Sequence, residues 1–197
     1  MTTRVGVFGG TFDPPHVGHL LAASDAAEAL TLDRVVWIPA AQQPFKAGQP
    51  AGATAVQRLA MVRRAIAGDP RFLVDAIEVD RGGLSYMVDT LRQLTARDPS
   101  AEWYLLLGAD AARGLPRWRE PEVVQSLARI VVLTRVGEVP YEPVTAHASW
   151  RVVTTRRCDV SATEIRARIA AGRSVRGFVT DAVADYIRSV GLYRVGG

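Results

Sequence analysis

Residues 9–19 read Gly9-Gly10-Thr11-Phe12-Asp13-Pro14-Pro15-His16-Val17-Gly18-His19. They join a short apolar run, residues 4–8, to an alanine-rich segment, residues 18–30. A buried strand followed by a glycine-rich turn and a helix is typical of the first unit of an α/β protein. Because ligands of open parallel sheets bind beyond the carboxyl ends of the strands, we expect residues 9–19 to form part of a binding site.

The residue types in this turn favour an anion as the ligand. Gly9 and Gly10 let main-chain N–H groups approach a phosphate closely, and the helix N-terminus that follows adds about half a positive charge. His16 and His19 are three positions apart at the start of the helix, so both side chains fall on one face. The combination predicts a phosphate site.

Other interpretations of the turn are excluded by its residues or are weaker. The Gly-Lys-Ser/Thr ending of a Walker A loop is missing, and the spacing is not the G-x-G-x-x-G of dinucleotide oxidoreductases. His16 and His19 give a weak zinc signal, because no glutamate lies between them and no cysteine accompanies them. A purely structural turn with two capping histidines stays open. We expect no metal site built from protein side chains.

Short apolar runs alternate with helical segments along the rest of the chain. The further predicted strands are residues 34–38, 71–74, 103–107 and 130–134, with Trp37 and Trp103 as core residues. The predicted helices are residues 18–30, 54–67, 86–97 and 121–127, separated by two long loops at 39–53 and 135–150. The chain is therefore predicted to be a single α/β domain over 1–197. Its core, 1–155, is a Rossmann-like open parallel sheet with helices on both faces, and a C-terminal helical segment, 156–197, follows.

The C-terminal segment contains a second candidate phosphate site. Ser161 and Glu164 form a predicted capping box that opens a helix ending near residue 171, and a last helix spans about 181–190. The hydroxyls of Ser161 and Thr163 and the guanidinium of Arg166 lie near the start of the first of these helices. Such groups suit a phosphate. A plain capping box with an exposed arginine is the alternative.

Composition narrows the class of protein. The net charge of +4 suits anionic substrates, but the basic residues are dispersed rather than clustered, so we expect no nucleic-acid partner. Cys158 is the only cysteine, which excludes an internal disulfide. No run approaches the length of a membrane span, and we expect a cytoplasmic protein without a membrane partner. The oligomeric state is open, with a homodimer among the options.

The order of residues 9–19 resembles the G-x-F-D-P-x-H-x-G-H signature of the adenylyltransferases and cytidylyltransferases related to class I aminoacyl-tRNA synthetases. Residues 161–166 resemble the S-x-T-x-x-R motif of the same superfamily. The resemblance implies that His16 and His19 contact the α- and β-phosphates of the nucleotide donor, and that Arg166 contacts the β- and γ-phosphates. The other ATP-binding positions that it implies are Gly9, Gly10, Thr11, Phe12, Gly18, Ser161 and Thr163.

Four further stretches resemble the bacterial nicotinate-nucleotide adenylyltransferases: residues 85–91, 108–111, 115–118 and 186–193. The resemblance implies that Gly108 and Asp110 bind the ATP side of the site, with the Asp110 carboxylate on a ribose. It also implies that Trp118 stacks on the pyridine ring, although core packing of Trp118 stays open from its position alone. The remaining positions implied for the pyridine nucleotide are Lys46, Tyr86, Met87 and Arg135.

Two positions depart from that family's pattern. Phe45 stands where the family often has histidine before the lysine, and Met87 stands where it often has threonine. The resemblance implies transfer of the adenylyl group of ATP to nicotinate mononucleotide, which gives nicotinate adenine dinucleotide and pyrophosphate, with Mg²⁺ carried by ATP. The departure at Met87 leaves the choice between nicotinate and nicotinamide mononucleotide open.

Three rival functions are compatible with parts of the sequence. A sister transferase would be a phosphopantetheine adenylyltransferase or a cytidylyltransferase that makes an activated alcohol. A nucleotide-sensing module would keep the fold without catalysis. A nucleic-acid-binding protein would need a basic stripe, which the sequence lacks.

Overall fold

The computed structural model describes residues 2–44, 52–137 and 150–194. Among these residues, six strands form one sheet in the order β3-β2-β1-β4-β5-β6. The strands are β1 (Arg4–Gly10), β2 (Arg34–Pro39), β3 (Phe72–Val74), β4 (Glu102–Gly108), β5 (Arg129–Arg135) and β6 (Arg151–Thr155). Every neighbouring pair is parallel. This confirms the α/β, Rossmann-like fold.

Helices cover both faces of the sheet. They are α1 (Val17–Leu30), α2 (Ala55–Ile66), α3 (Ile77–Arg81), α4 (Met87–Arg97), α5 (Ala109–Gly114), α6 (Pro121–Leu127), α7 (Ala162–Ala170) and α8 (Asp181–Ser189). One apolar core packs α1, α2, α7 and α8 against the sheet, and the other packs α3 to α6 against the opposite face. The central strands β1, β2 and β4 are buried on both sides, which explains why each of them reads as a continuous apolar run.

β1 lies in the middle of the sheet, because the chain places β2 and β3 on one side of it and β4, β5 and β6 on the other. Val7 of β1 is in register with Val36 of β2 and with Leu105 of β4. The strand order therefore changes direction at β1, and the loops that follow β1, β2 and β4 come together at one edge. A crevice at such a point is where open parallel sheets bind their ligands.

The predicted helix and strand segments are present, with small differences at their ends. The Thr54 and Gln57 capping box at the start of α2 is formed, with the Gln57 N–H donating to Thr54 Oγ1 and the Thr54 N–H donating to Gln57 Oε1. Trp37 and Trp103 are buried, as expected. At α7, Ser161 Oγ accepts from the Glu164 N–H over 3.1 Å, which is one half of the predicted box.

Three features were not predicted. The sequence did not predict β6, which begins at Arg151, directly after the predicted loop over 135–150, and pairs with β5. The short helices α3 and α5 were also missed, as was the 3₁₀ turn, Leu115–Arg117, that precedes Trp118. With five and six residues, α3 and α5 are too short to show a helical period, which explains why these two helices were missed. No helix in the described part of the chain is long and apolar enough to cross a membrane.

Candidate active site

The turn after β1 is held in place by aromatic packing. Phe12 adopts a left-handed conformation, φ 51°, that is uncommon for a residue with a side chain. Its ring is buried and lies 5.2 Å from the rings of both Trp37 and His19, measured between centroids. This contact joins the turn to the core of the sheet and brings the start of α1 over the end of β1.

His16 and His19 lie against each other at the start of α1. Their ring centroids are 3.7 Å apart, and the His16 main-chain N–H donates to Nδ1 of His19 over 3.2 Å. Burial, with a smaller contribution from the positive charge of Arg135, lowers the pKa of His16 from 6.5 to about 4. Burial also lowers the pKa of His19 well below its usual value, and His16 and Arg135 add to that effect. Both rings are therefore neutral near pH 7.

The start of α7 meets the opening turn in space. Arg166 donates from Nη1 to the main-chain oxygen of Asp13 over 2.8 Å and from Nη2 to Thr163 Oγ1 over 3.3 Å. His16, His19, Thr163 and Arg166 line a cleft of about 740 Å³, which we call the polar cleft. Two segments far apart in the sequence thus present hydrogen-bond donors to one space.

A second cavity adjoins the polar cleft. Its volume is about 470 Å³, and its wall includes Gly9, Gly10, Tyr86, Met87 and Trp118; we call it the aromatic cavity. Ala40 and Gln43, which follow β2, line both spaces. The two spaces are therefore neighbours on either side of the strand ends, one polar and one with the aromatic surfaces that a heterocycle needs.

Charged groups of both signs line the aromatic cavity. Arg119 lies over the Tyr86 ring, with its guanidinium carbon 5.0 Å from the ring centroid, and Arg117 contributes a second cation. Glu78 is 3% exposed and accepts a hydrogen bond from Thr90 Oγ1 over 2.6 Å. Burial raises the pKa of Glu78, although Thr90, Ser85 and Arg81 oppose this shift. These side chains can distinguish acidic from neutral ligands.

Comparison with known proteins identifies the family. The cytidylyltransferase-like family matches residues 7–168. A probable nicotinate-nucleotide adenylyltransferase of Gemmatimonas aurantiaca is 50% identical over 97% of this chain and 92% of its own length. One from Thermus thermophilus is 45% identical over 97% of this chain and 100% of its own length. The chain belongs to the nicotinate-nucleotide adenylyltransferase family.

A solved structure shows that the fold is shared as well. The nicotinic acid mononucleotide adenylyltransferase of Plasmodium falciparum, complexed with NaAD, superposes with a TM-score of 0.81. It is 14% identical to this chain, and the match covers 97% of both chains. The parallel sheet and its helices are therefore retained at low sequence identity.

The structure places most of the positions that the family resemblance implies around the two spaces. The polar cleft is lined by Thr11, Phe12, His16, His19, Thr163 and Arg166, and the aromatic cavity by Gly9, Gly10, Tyr86, Met87 and Trp118. Gly18 lies behind the histidines, where an added Cβ would be 3.1 Å from the His16 ring. Ser161 caps α7 beside the cleft.

Four positions stand apart from these linings. Gly108 and Asp110, at the end of β4 and the start of α5, are not among the described residues that line either space, and the exposed Asp110 pairs with Arg113 over 2.7 Å. Arg135 is the last residue of β5 and is exposed, yet its positive charge contributes to lowering the pKa of both histidines. Lys46 lies outside the described residues.

Arg58 is a member of the site that the sequence did not reveal. It lies on α2, is 2% exposed and donates to the main-chain oxygens of Thr11 (2.7 Å), Ala41 (2.9 Å) and Ala53 (3.3 Å). Burial of a guanidinium without several partners would be costly, so these bonds fix its position. Arg58 thereby joins the turn after β1 to the loop after β2. Its only signal in the sequence is a charge next to the apolar Leu59.

Proposed function

We propose that this protein transfers the adenylyl group of ATP to the 5′-phosphate of nicotinate mononucleotide, giving nicotinate adenine dinucleotide and pyrophosphate. One observation carries the proposal: a polar cleft lined by His16, His19, Thr163 and Arg166 adjoins an aromatic cavity lined by Tyr86 and Trp118. A triphosphate fits the first lining and a pyridine ring the second. Their shared wall leaves the two phosphates near each other.

The chemistry needs no general base. An oxygen of the nicotinate mononucleotide phosphate attacks the α-phosphorus of ATP and forms the new P–O bond, while the bond from the α-phosphorus to the bridging oxygen breaks and pyrophosphate leaves. The second pKa of a phosphate monoester is about 6, so the attacking group is already ionised near pH 7. The protein has to align the two phosphates and neutralise the charge that develops on the leaving group.

The histidines suit this task as neutral donors. Nδ1 of His19 accepts a hydrogen bond from the His16 main chain, so its Nε2 carries the proton. We assign His16 and His19 to the α- and β-phosphates. Arg166, Ser161 and Thr163 are assigned to the β- and γ-phosphates. The main-chain groups of Gly9, Gly10, Thr11, Phe12 and Gly18 complete the ATP site in this proposal.

Mg²⁺ enters with the triphosphate. In the described part of the chain, no group of three His, Cys, Asp or Glu side chains could hold a metal ion. Mg²⁺ prefers phosphate oxygens and retained waters to a cage of protein ligands, so this lining fits an ion that ATP carries. When bound, it offsets part of the negative charge of the polyphosphate.

The pyridine nucleotide is assigned to the aromatic cavity. We propose that Trp118 stacks on the pyridine ring, that Tyr86 and Met87 border the ring substituent, and that Lys46 and Arg135 contact phosphate. Asp110, with Gly108, is assigned to a ribose. Support comes from the relative in Plasmodium falciparum, which was solved with NaAD. For this chain, the acid is the preferred substrate in our proposal.

The remaining properties are proposals of the same kind. We propose a single domain over 1–197, in which the helical segment 156–197 completes the site on the 1–155 core. The packing of α7 and α8 into the core beside α1 and α2 supports this view. We also propose a cytoplasmic enzyme without nucleic-acid or membrane partners, and homodimerisation can be examined by light scattering.

A substrate panel tests the reaction. Purified protein is incubated with Mg²⁺ and ATP or CTP, and with nicotinate mononucleotide, nicotinamide mononucleotide or phosphopantetheine, while pyrophosphate release is followed. We expect the highest kcat/KM with ATP and nicotinate mononucleotide, and nicotinate adenine dinucleotide as the product. Faster turnover of phosphopantetheine, or no turnover of any pair, would contradict the proposal.

A further inference from the structure

Asp13 connects three distant segments of the chain. Its carboxylate accepts hydrogen bonds from the main-chain N–H groups of Gly52 (2.8 Å) and Ala53 (3.1 Å) and from the hydroxyl of Tyr193 (2.7 Å). Its main-chain oxygen accepts from Nη1 of Arg166 over 2.8 Å. Asp13 is 7% exposed, so these bonds are largely shielded from water. Movement of Asp13 would therefore disturb the anchor of Arg166.

Tyr193 is held in an unusual conformation at this contact. Its φ is 64°, in the left-handed region that residues with a Cβ rarely adopt. Such conformations persist where the surrounding structure fixes them, and they concentrate at functional sites. Burial and the neighbouring Asp13 carboxylate raise the pKa of Tyr193, so the hydroxyl remains protonated and donates.

Packing links Tyr193 to Arg166 as well. A Cβ added to Gly52 would lie 2.8 Å from the Tyr193 ring and 3.3 Å from Cδ of Arg166. Both side chains therefore rest against the same glycine. Asp13 and Arg166 line the polar cleft, whereas Tyr193 is not among the described residues that line it. Any effect of Tyr193 on a ligand there has to pass through its neighbours.

We propose that the hydroxyl of Tyr193 is a positioning group for the triphosphate: it fixes Asp13, and Asp13 fixes the guanidinium of Arg166 in the polar cleft. This inference rests on the proposed function, in which Arg166 contacts the β- and γ-phosphates. It gives a role to the end of the chain after α8. Tyr193 touches neither substrate in this arrangement.

The direct test is Tyr193→Phe, which removes one oxygen and keeps the ring. We expect the KM for ATP to rise by up to about tenfold, because Arg166 is held less firmly, with kcat changed less. Tenfold corresponds to the whole energy of one hydrogen bond to a charged group and is the upper bound for an effect passed through Asp13. The KM for nicotinate mononucleotide should stay near the wild-type value. Tyr186→Phe is the matched control, because Tyr186 lies on α8 with its ring under Arg64 and outside the Asp13 contacts. An unchanged KM for ATP in Tyr193→Phe would overturn the proposal.

A double-mutant cycle separates positioning from general loss of stability. If Tyr193 acts through Arg166, adding Tyr193→Phe to Arg166→Gln should raise the KM for ATP by less than twofold more. Full additivity of the two changes would contradict the proposal. Should Tyr193→Phe fail to fold, Gly52→Ala perturbs the same contact, because its Cβ would lie 2.8 Å from the Tyr193 ring. Gly52 also lines the polar cleft and its Cβ would meet Arg166, so this variant tests the whole Asp13 contact rather than the Tyr193 hydroxyl alone. We expect the same selective rise in the KM for ATP, and an unchanged KM would count against the proposal.

Calorimetric titration with Mg-ATP makes the result independent of the reaction. If the wild-type protein binds ATP but makes no dinucleotide, the proposed function fails, while weaker ATP binding by Tyr193→Phe would still support the positioning role. Equal ATP affinity in wild type and Tyr193→Phe overturns the positioning role even if dinucleotide is formed.

Discussion

The main-chain N–H of His16 donates to Nδ1 of His19 over 3.2 Å, which fixes the tautomer of the second ring. Because Nδ1 accepts, the neutral imidazole can donate only from Nε2. The same bond fixes the direction of that donor, since it joins the ring to the first turn of α1. His19 is thus oriented before any ligand binds.

Replacing His19 should therefore abolish most of the turnover without unfolding the protein. We expect His19→Ala to lower kcat by about a hundredfold or more, the usual effect of removing one donor to a developing charge. His19→Gln, whose amide nitrogen can reach the position of Nε2, should retain more activity. Steady-state kinetics and circular dichroism provide the check. An active His19→Ala protein would show that the histidine plays no part in catalysis.

Stability should depend on pH through His16. Its pKa is lowered from 6.5 to about 4 by burial, so between these values the unfolded chain holds a proton that the folded chain does not. Stability is therefore lost as the pH falls through this window, and His16 should account for about 2 kcal/mol between pH 7 and pH 5. Urea denaturation of wild type and His16→Gln measures the difference. Equal pH dependence in the two proteins would contradict the prediction.

Trp118 should govern the affinity for the pyridine nucleotide alone. Stacking of an aromatic side chain on a base contributes about 1–3 kcal/mol, so we expect Trp118→Ala to raise the KM for nicotinate mononucleotide at least fivefold and Trp118→Phe to raise it less. The KM for ATP should change little. Trp150→Phe is a suitable control, because the Trp150 indole donates to Gln125 over 3.1 Å and is not among the described residues that line either space. A similar effect of Trp150→Phe would point to general destabilisation.

The two signs of charge around the aromatic cavity should shift substrate preference in opposite directions. Glu78→Gln removes a negative charge from its wall and should favour nicotinate over nicotinamide mononucleotide by roughly fivefold. Arg119→Gln removes a positive charge and should favour the amide by a similar factor. The ratio of the two kcat/KM values measures this preference. Shifts of the same sign in both variants would exclude simple electrostatic selection.

Much of the fold, and many of the residues that line the candidate site, could be predicted from the sequence. The turn at 9–19 and the motif at 161–166 contain their chemistry in a few adjacent residues, so local reasoning finds them. Buried strands such as β1 and β4 show as continuous apolar runs. β6 was missed because it lies at the edge of the sheet, where only Val153 and Thr155 of its five residues are buried.

The supporting contacts could not be predicted because they depend on tertiary structure. Arg58 is recognised only through the main-chain oxygens that it reaches, and nothing in its neighbours predicts a buried guanidinium within α2. The same holds for Glu78 and Thr90, which are twelve positions apart and meet through the packing of α3 and α4. Long-range contacts of this kind depend on how the helices pack against the sheet.

The strand order also affects how the protein emerges during synthesis. β1 pairs with β2 on one side, but its other partner, β4, is made about ninety residues later. At ordinary translation rates of 5–20 residues per second, the nascent chain keeps one side of its central strand open for roughly 5–20 s. An open strand edge promotes association with other chains. The growing polypeptide is therefore most in need of chaperone protection before residue 102 has left the ribosome.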